Sequence, residues 1–315
     1  MIGIKSIASY VPADAIDNVE QAARFDKSAD FIENKVGARR LPRKAPGQET
    51  SDLAVQAVER LLARNPELQR DQIDAIVVVT QNGDGAGLPH TAAIVQAKLG
   101  LKTGVAAFDI SLGCSGYVYG LYMLAGFMRQ LGLGNGLLVT ADPYSKIIDE
   151  NDAVTAMLFG DAATATWLGE GASWQLGAMS CGTDGTGRDS LRVEHDVLHM
   201  DGRAVFNFAA TRIPAEIKSL LAQAGCRPDE IDAFCLHQGS YAIIDTISKR
   251  FPEVTERFVK DIEQVGNTVS SSIPLLLEHR LDQPGWNRVL VSGFGVGLSW
   301  ATALLIKQGE KHECR

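Results

Sequence analysis

The stretch FDISLGCSGYVYGLYMLAGFM, residues 108–128, decides how the chain is read. Alternating apolar residues run into Leu112-Gly113-Cys114-Ser115-Gly116, and an apolar segment with regularly spaced small residues follows. That order predicts a strand, a tight turn and a buried helix, with Cys114 at the helix's first turn. A thiol there meets the positive end of the helix dipole and unpaired N–H groups, both of which favour the thiolate. The flanking glycines would let a substrate approach the sulfur. The alternative is a small buried hydrophobe, which is what most free cysteines are. Placement supplies only part of what activates a nucleophile; its partners have to come from elsewhere in the chain.

With 315 residues, 45% of them apolar and 22% charged, the chain has the balance of a soluble globular protein. It is long enough for one large domain or two packed halves. The net charge of −8 argues against non-specific nucleic-acid binding, which needs a basic footprint. Five cysteines without scaffold spacing suggest reduced thiols in a cytosol, and no Cys-x-x-Cys pair supports a metal site. The N-terminus, MIGIKSIASYVP, lacks the charged region and long apolar run of a secretory signal. The most hydrophobic region, residues 116–128, is interrupted by Arg129 and Gln130 and is too short to span a bilayer. The expectation is a soluble, cytoplasmic protein without a nucleic-acid, membrane or metal partner.

Upstream of the opening stretch, residues 2–10 alternate like a strand and residues 18–34 look helical. A basic loop from Lys35 to Lys44 reads as a solvated face or a landing site for an acidic partner. Residues 51–64 carry apolar side chains at helical spacing, with Ser51 or Asp52 as N-cap. Residues 73–80 are a β-branched run with the look of a buried parallel strand. Residues 83–87 are glycine-rich, but no Lys-Ser/Thr follows, so they read as a flexible loop near a site rather than a phosphate cradle. Downstream, residues 136–141 form another strand, and Met157 opens a further one that continues through 162–168. The glycine-rich residues 182–189 read as a boundary or long loop, and 205–224 as a helix tolerating Pro214.

The second half echoes the first. Arg70-Asp71-Gln72-Ile73-Asp74-Ala75-Ile76-Val77 compares with Pro228-Asp229-Glu230-Ile231-Asp232-Ala233-Phe234-Cys235, each an acidic turn before Ile-Asp-Ala and an apolar strand. Phe108-Asp109-Ile110, ahead of Cys114, compares with Lys260-Asp261-Ile262, ahead of Gly266-Asn267. Gly136-Leu137-Leu138-Val139-Thr140 compares with Arg288-Val289-Leu290-Val291-Ser292. Three echoes in one order indicate an internal duplication, and two α/β halves imply stacked layers of helix and sheet. Packed about a pseudo-two-fold axis, the halves would make the Cys114 and Asn267 turns neighbours. His237, ending the strand at 233–238, can point at the same spot.

With a cysteine, a histidine and an asparagine converging, the chain resembles the β-ketoacyl-acyl-carrier-protein synthase III family of the thiolase superfamily. The resemblance is carried by Leu112-Gly113-Cys114-Ser115-Gly116, Phe159-Gly160-Asp161, Leu236-His237-Gln238, Gly266-Asn267-Thr268 with Ser272-Ile273-Pro274, and Gly293-Phe294-Gly295-Val296-Gly297. It covers essentially the whole chain. It implies an α/β, thiolase-like fold: two duplicated α/β halves forming a layered αβαβα core, residues 1–169 carrying the cysteine and 170–315 the histidine and asparagine. The activity implied is an acyltransferase in which Cys114 takes an acyl group from a thioester. A decarboxylative Claisen condensation with malonyl-acyl-carrier-protein then gives a 3-oxoacyl product. Cys114, His237 and Asn267 would be catalytic, and the backbone N–H groups of Cys114 and Val296 would form the oxyanion hole. Leu88 and Phe159 would line the acyl pocket. The family also implies no tightly bound cofactor, acyl-CoA or acyl-carrier-protein thioesters as substrates, acyl carrier protein as partner, a homodimer, and a place in fatty acid biosynthesis.

Several positions depart from the family pattern. The usual His-Gln-Ala-Asn is His237-Gln238-Gly239-Ser240, and an entrance arginine two positions further on is Ala242. Another family arginine is Ala153, and the tryptophan that stacks on the CoA adenine corresponds to Phe31. Lys35, Arg39, Lys249 and Arg250 keep the thioester and carrier-protein entrance basic, so an acidic carrier could still be steered in. These changes point to weakened use of free acyl-CoA and a donor other than acetyl. The alternatives are transfer from Cys114 to a hydroxyl, amine or other carbanion in specialised metabolism, a cysteine hydrolase, and a non-catalytic subunit of a related synthase. The hydrolase reading lacks the papain-like Cys-Gly-Ser/Ala-Cys-Trp/Tyr motif. His90, His195, His199, His279 and His312, with Cys181, Cys226, Cys235 and Cys314, match no catalytic motif.

Overall fold

The computed structural model describes residues 1–85 and 87–310; Ala86 of the glycine-rich loop, His312 and Cys314 lie outside the described residues. The first half contains β1 (Ile2–Tyr10), the short paired strands β2 (Ala15–Asp17) and β3 (Arg40–Pro42), and between them α1 (Asn18–Ala23) and α2 (Ala29–Phe31). Then come α3 (Thr50–Arg64), β4 (Ala75–Val79), α4 (Thr91–Lys98), β5 (Ala106–Ile110), α5 (Gly116–Leu131), β6 (Asn135–Ala141), α6 (Ala153–Ala156) and β7 (Ala163–Glu170). The second half runs β8 (Trp174–Thr183), the paired β9 (Leu191–Glu194) and β10 (Val197–Met200), α7 (Gly202–Gln223), β11 (Ala233–Leu236) and α8 (Tyr241–Ser248). It ends with α9 (Ser272–Glu278), β12 (Arg288–Gly295) and β13 (Ser299–Lys307). Nine strands join in the order β11-β12-β13-β8-β1-β7-β6-β4-β5.

Strand alternation explains the layering, because successive side chains point to opposite faces. Along β4, Ala75, Val77 and Val79 join a core with α5 and α9, while Ile76 and Val78 join another with α3 and α4. The second half repeats this: Ala233, Cys235, Val289 and Val291 face α5 and α9, and Phe234, Leu236 and Leu290 face α7 and α8. Each half-sheet is therefore buried on both faces, with α5 and α9 between the two. The result is the αβαβα core. Two glycines let α5 lie close to its sheet: a Cβ on Gly116 would fall 2.4 Å from Val79 Cγ1, and one on Gly120 2.7 Å from Leu138 Cδ1.

The Ile-Asp-Ala echo has a physical cause. In each half a short 3₁₀ turn, Arg70–Gln72 or Pro228–Glu230, precedes an aspartate that brackets the start of a neighbouring parallel strand. Asp74 Oδ2 accepts from the Gly134 and Asn135 N–H groups at 2.9 and 3.1 Å, and Asp232 Oδ2 accepts from those of Asn287 and Arg288 at 2.7 and 2.8 Å. The echo of residues 108–110 in 260–262 is weaker, since 260–262 form no strand and just upstream of them Phe258 makes an isolated bridge to Phe234.

Some local expectations need correction. Residues 18–34 are not one helix: Asp26 adopts φ 52, the chain reverses, and Ser28 caps a new turn by accepting from Phe31 N–H at 3.2 Å. α3 is capped not by Ser51 or Asp52 but at Glu49, whose N–H donates to Asp52 Oδ2 at 2.8 Å. Residues 157–161 stay outside the sheet. Gly182 and Thr183 belong to β8, paired with β13, so no boundary falls there, and a 3₁₀ turn follows at Gly185–Ser190. In the glycine-rich segment Asp84 is tied to α3, accepting from the Ser51 N–H and hydroxyl at 2.8 and 2.6 Å. Among the described cysteines, Cys114, Cys181 and Cys235 are free, whereas Cys226 is disulfide-bonded, against the expectation of uniformly reduced thiols.

Candidate active site

Cys114 sits in the turn between β5 and α5, one residue before the N-cap Ser115. His237 directly follows β11, and Asn267 precedes the 3₁₀ turn Val269–Ser271 that leads into α9. The three side chains come from both halves, are only 5%, 3% and 5% exposed, and line one cavity of about 590 Å³.

Cys114 is held close to the closing glycine run. A Cβ on Gly295 would stand 2.8 Å from Cys114 Sγ, so only glycine leaves room for the sulfur. The backbone N–H groups of Cys114 and Val296 both reach that sulfur. Burial nevertheless pushes the thiol up to about 12, and the negative charge of Asp142 adds to this, outweighing the two N–H groups. The resting group is therefore the thiol, not the thiolate suggested by its position ahead of a helix.

His237 Nδ1 lies 2.8 Å from Ser272 Oγ, and the ring stands edge-on to Phe294 with centroids 5.5 Å apart. Burial pulls the imidazole down to about 3, so it is neutral at physiological pH, with the Val269 backbone a lesser opposing influence. Asn267 is oriented by its own turn: its Oδ1 accepts from Val269 N–H at 3.0 Å, which leaves the amide N–H groups for the cavity. Its backbone is pinned between Leu158 and Gly160, donating to Leu158 O at 2.9 Å and accepting from Gly160 N–H at 3.1 Å. The Phe159-Gly160-Asp161 motif thus holds the second half's asparagine against the first half.

The inner cavity wall is apolar. Phe159 packs tilted against Tyr144 at 4.8 Å, and Leu191, Met200 and Val205 add the β9–β10 pair and α7. At the exposed end stand Phe31, with Lys27 Nζ 5.6 Å from its ring centroid, and the cations Lys35 and Arg203. Ala153 and Ala242 also line the cavity. The expected entrance set therefore splits: Phe31 and Lys35 border the cavity, whereas Arg39 turns to Glu33 and Glu263, and Lys249 and Arg250 are exposed beyond α8. Leu88 is 90% exposed and is not among the residues that line this chain's cavity. Tyr144, Leu191, Met200, Val205, Lys27 and Arg203 were not foreseen; they come from elements far apart in the chain, with no common spacing to reveal them. His195 and His199 lie four residues apart on and beside the β9–β10 pair, and no described group of three His, Cys, Asp or Glu is placed to hold a metal.

A buried cysteine before a central helix, facing a neutral histidine and an asparagine amide at the junction of duplicated halves, defines a thiolase-fold acyltransferase. Residues 108–185 match the 3-oxoacyl-[acyl-carrier-protein] synthase III family profile, and residues 221–307 match the profile of that enzyme's C-terminal part. The β-ketoacyl-[acyl-carrier-protein] synthase III of Lactococcus lactis is 32% identical, over 96% of this chain and 98% of its own length. That of Streptococcus pyogenes is 34% identical over the same shares. Among solved structures, the synthase III of Thermus thermophilus superposes with a TM-score of 0.88 at 34% identity, covering 98% of this chain and all of the other. The priming β-ketosynthase of the R1128 polyketide pathway gives 0.87 at 28% identity, covering 98% and 96%. The chain belongs to the β-ketoacyl-acyl-carrier-protein synthase III family, and it is an enzyme.

Proposed function

We infer that the protein is an initiating ketosynthase of fatty acid biosynthesis, joining an acyl thioester to malonyl-acyl-carrier-protein by decarboxylative condensation. The observation that carries this is the convergence of Cys114, His237 and Asn267 on a single cavity whose inner wall is apolar. The Cys114 sulfur attacks the thioester carbonyl, the carbon–sulfur bond of the donor breaks, and the thiol proton ends on the departing CoA or pantetheine sulfur. The N–H groups that now touch the sulfur, from Cys114 and Val296, are placed to receive the carbonyl oxygen as it becomes negative.

In the second stage the malonyl carboxylate leaves as CO₂ and its electron pair becomes an enolate. The Asn267 amide and the neutral His237 ring take the enolate oxygen as hydrogen-bonding partners. The carbanion then attacks the acyl-enzyme carbonyl, releasing Cys114 and the 3-oxoacyl thioester. Each donor in so dry a site is worth about 3 kcal/mol of barrier.

The acyl chain would rest against Phe159, with Tyr144 behind it. Ala153, Ala242 and Phe31 at the cavity leave fewer charged and aromatic contacts for CoA, which favours a carrier-protein donor and a chain other than acetyl. Lys27, Lys35 and Arg203 supply the positive rim for an acidic carrier. A homodimer fits the free edge of β5, which among the described residues pairs only with β4 and leaves Phe108 half-buried, and the exposed Met123 of α5. We divide the halves at residues 169 and 170 and place the enzyme in the cytoplasm; no described helix is long and apolar enough to cross a membrane. Family membership disposes of the cysteine-hydrolase and non-catalytic readings.

The test is intact mass of wild type and Cys114→Ala after incubation with acyl-CoA and acyl-carrier-protein donors of graded length, followed by malonyl-carrier-protein. A thioester adduct on wild type alone, chased to a 3-oxoacyl product with CO₂ release, is expected. An adduct that malonyl-carrier-protein leaves intact would defeat the condensation reading. Efficient loading from acetyl-CoA would defeat the substrate reading.

A further inference from the structure

Val269 has φ 53, in the left-handed region that a β-branched residue rarely adopts, and its side chain is fully buried in the apolar cluster around Cys114. Its N–H is the group that orients the Asn267 side chain. The residues after it are fastened to the other half of the molecule. Ser270 Oγ donates to Asp142 Oδ2 at 2.6 Å, and Ser271 Oγ lies 2.8 Å from Thr140 Oγ1 and 3.2 Å from Ala162 O. Asp142 is itself fully buried past the end of β6, where its Oδ1 accepts from Gln81 N–H at 2.7 Å and the Thr80 hydroxyl at 3.2 Å.

We propose that Asp142 and Ser270 are positioning residues that hold the strained Val269 turn and thereby keep the Asn267 amide aimed into the cavity. A residue at an unfavourable φ persists only when its surroundings over-determine it. Here the buried side chain of Val269 fixes one side of the turn and the Ser270–Asp142 bond the other. Burial lifts the Asp142 carboxyl to about 6, so at neutral pH it is an ionised acceptor and the bond to Ser270 is charge-assisted. Without that bond the turn can relax toward negative φ. Val269 N–H then swings away, and the Asn267 side chain loses its orientation although its backbone stays pinned to Leu158 and Gly160.

The inference rests on the proposed role of Asn267 in the decarboxylation stage, and the two partial reactions separate them. Cys114 acylation is followed by intact mass, and CO₂ release is followed from labelled malonyl-carrier-protein without an acyl donor. Ser270→Ala should lower decarboxylation by about 10- to 100-fold, the cost of misplacing one reacting partner by up to an ångström. It should leave acylation near wild type, because the Cys114 turn and the Cys114 and Val296 N–H groups at its sulfur are untouched. Ser270→Thr, which keeps the hydroxyl, should restore decarboxylation. An equal fall in both partial reactions, or no fall in either, overturns the inference. So does a folded Ser270→Thr enzyme that decarboxylates no better than Ser270→Ala. No decarboxylation by wild type would remove the functional reading and this inference together.

Discussion

Replacing Gly295 with alanine tests the geometry around the nucleophile most directly. The added methyl would stand 2.8 Å from Cys114 Sγ and 3.0 Å from Cys114 Cβ. Comfortable non-bonded separations are about 3.5–4.0 Å, so one partner must retreat by roughly an ångström. The strand cannot readily yield, because β12 is paired with β13 from Arg288↔Ile306 to Gly295↔Ser299. The cysteine is the more mobile partner, and its sulfur would be pushed off the Cys114 and Val296 N–H groups. A displacement of that size costs about 10²-fold in rate. The assay is the rate constant for acyl-enzyme formation, read by intact mass at saturating donor, beside a thermal melt to confirm folding. Gly104→Ala, where a Cβ would meet nothing within 4 Å, is the control. A folded Gly295→Ala enzyme that acylates at the wild-type rate would refute the reasoning.

His237 is held neutral by burial, at about 3 against an ordinary 6.5, so it stabilises the fold above pH 6.5 and that contribution is lost as pH falls toward 3. Acid unfolding followed by circular dichroism should therefore shift to lower pH in His237→Gln; an unshifted midpoint would contradict the assignment. Ser240 N-caps α8, its hydroxyl accepting from Ile243 N–H at 3.3 Å, and Ser240→Ala should cost about 1 kcal/mol in denaturant titration. Ala242→Arg would put a guanidinium on the cavity wall and should lower KM for acyl-CoA roughly tenfold, the worth of one charge-assisted hydrogen bond. An unchanged KM would argue that Ala242 is not at the thioester entrance.

Where sequence pattern and physical cause coincide, the chain could be read closely. The run from Ile76 to Val79 is β-branched because both faces of β4 are buried. Ile-Asp-Ala recurs because a carboxylate is needed in each half to bracket the next strand's first N–H groups. Cys114, His237 and Asn267 were legible because each ends or begins an element whose place the duplication sets. The 18–34 segment was misread because helical spacing carries no mark of a reversal at Asp26, a non-glycine residue with positive φ. The cavity wall was hidden for a different reason. Tyr144, Leu191 and Val205 meet only through tertiary packing, and nothing in their neighbourhoods distinguishes them from ordinary core residues.

The two turns at the junction of the halves have consequences for how one repeated piece of chain came to do opposite work. The turn before α5 ends in a polarizable sulfur with an electron pair to give, while its counterpart before α9 ends in an amide whose free N–H groups suit an incoming negative charge. On the proposed mechanism, two copies with the nucleophile would lack the amide for the second stage, and two with the amide could not take up the acyl group at all. Duplication within one chain frees each copy to diverge while the shared fold keeps them facing each other. The division of labour between donor and acceptor is thus written into covalent continuity and does not depend on which chains happen to assemble.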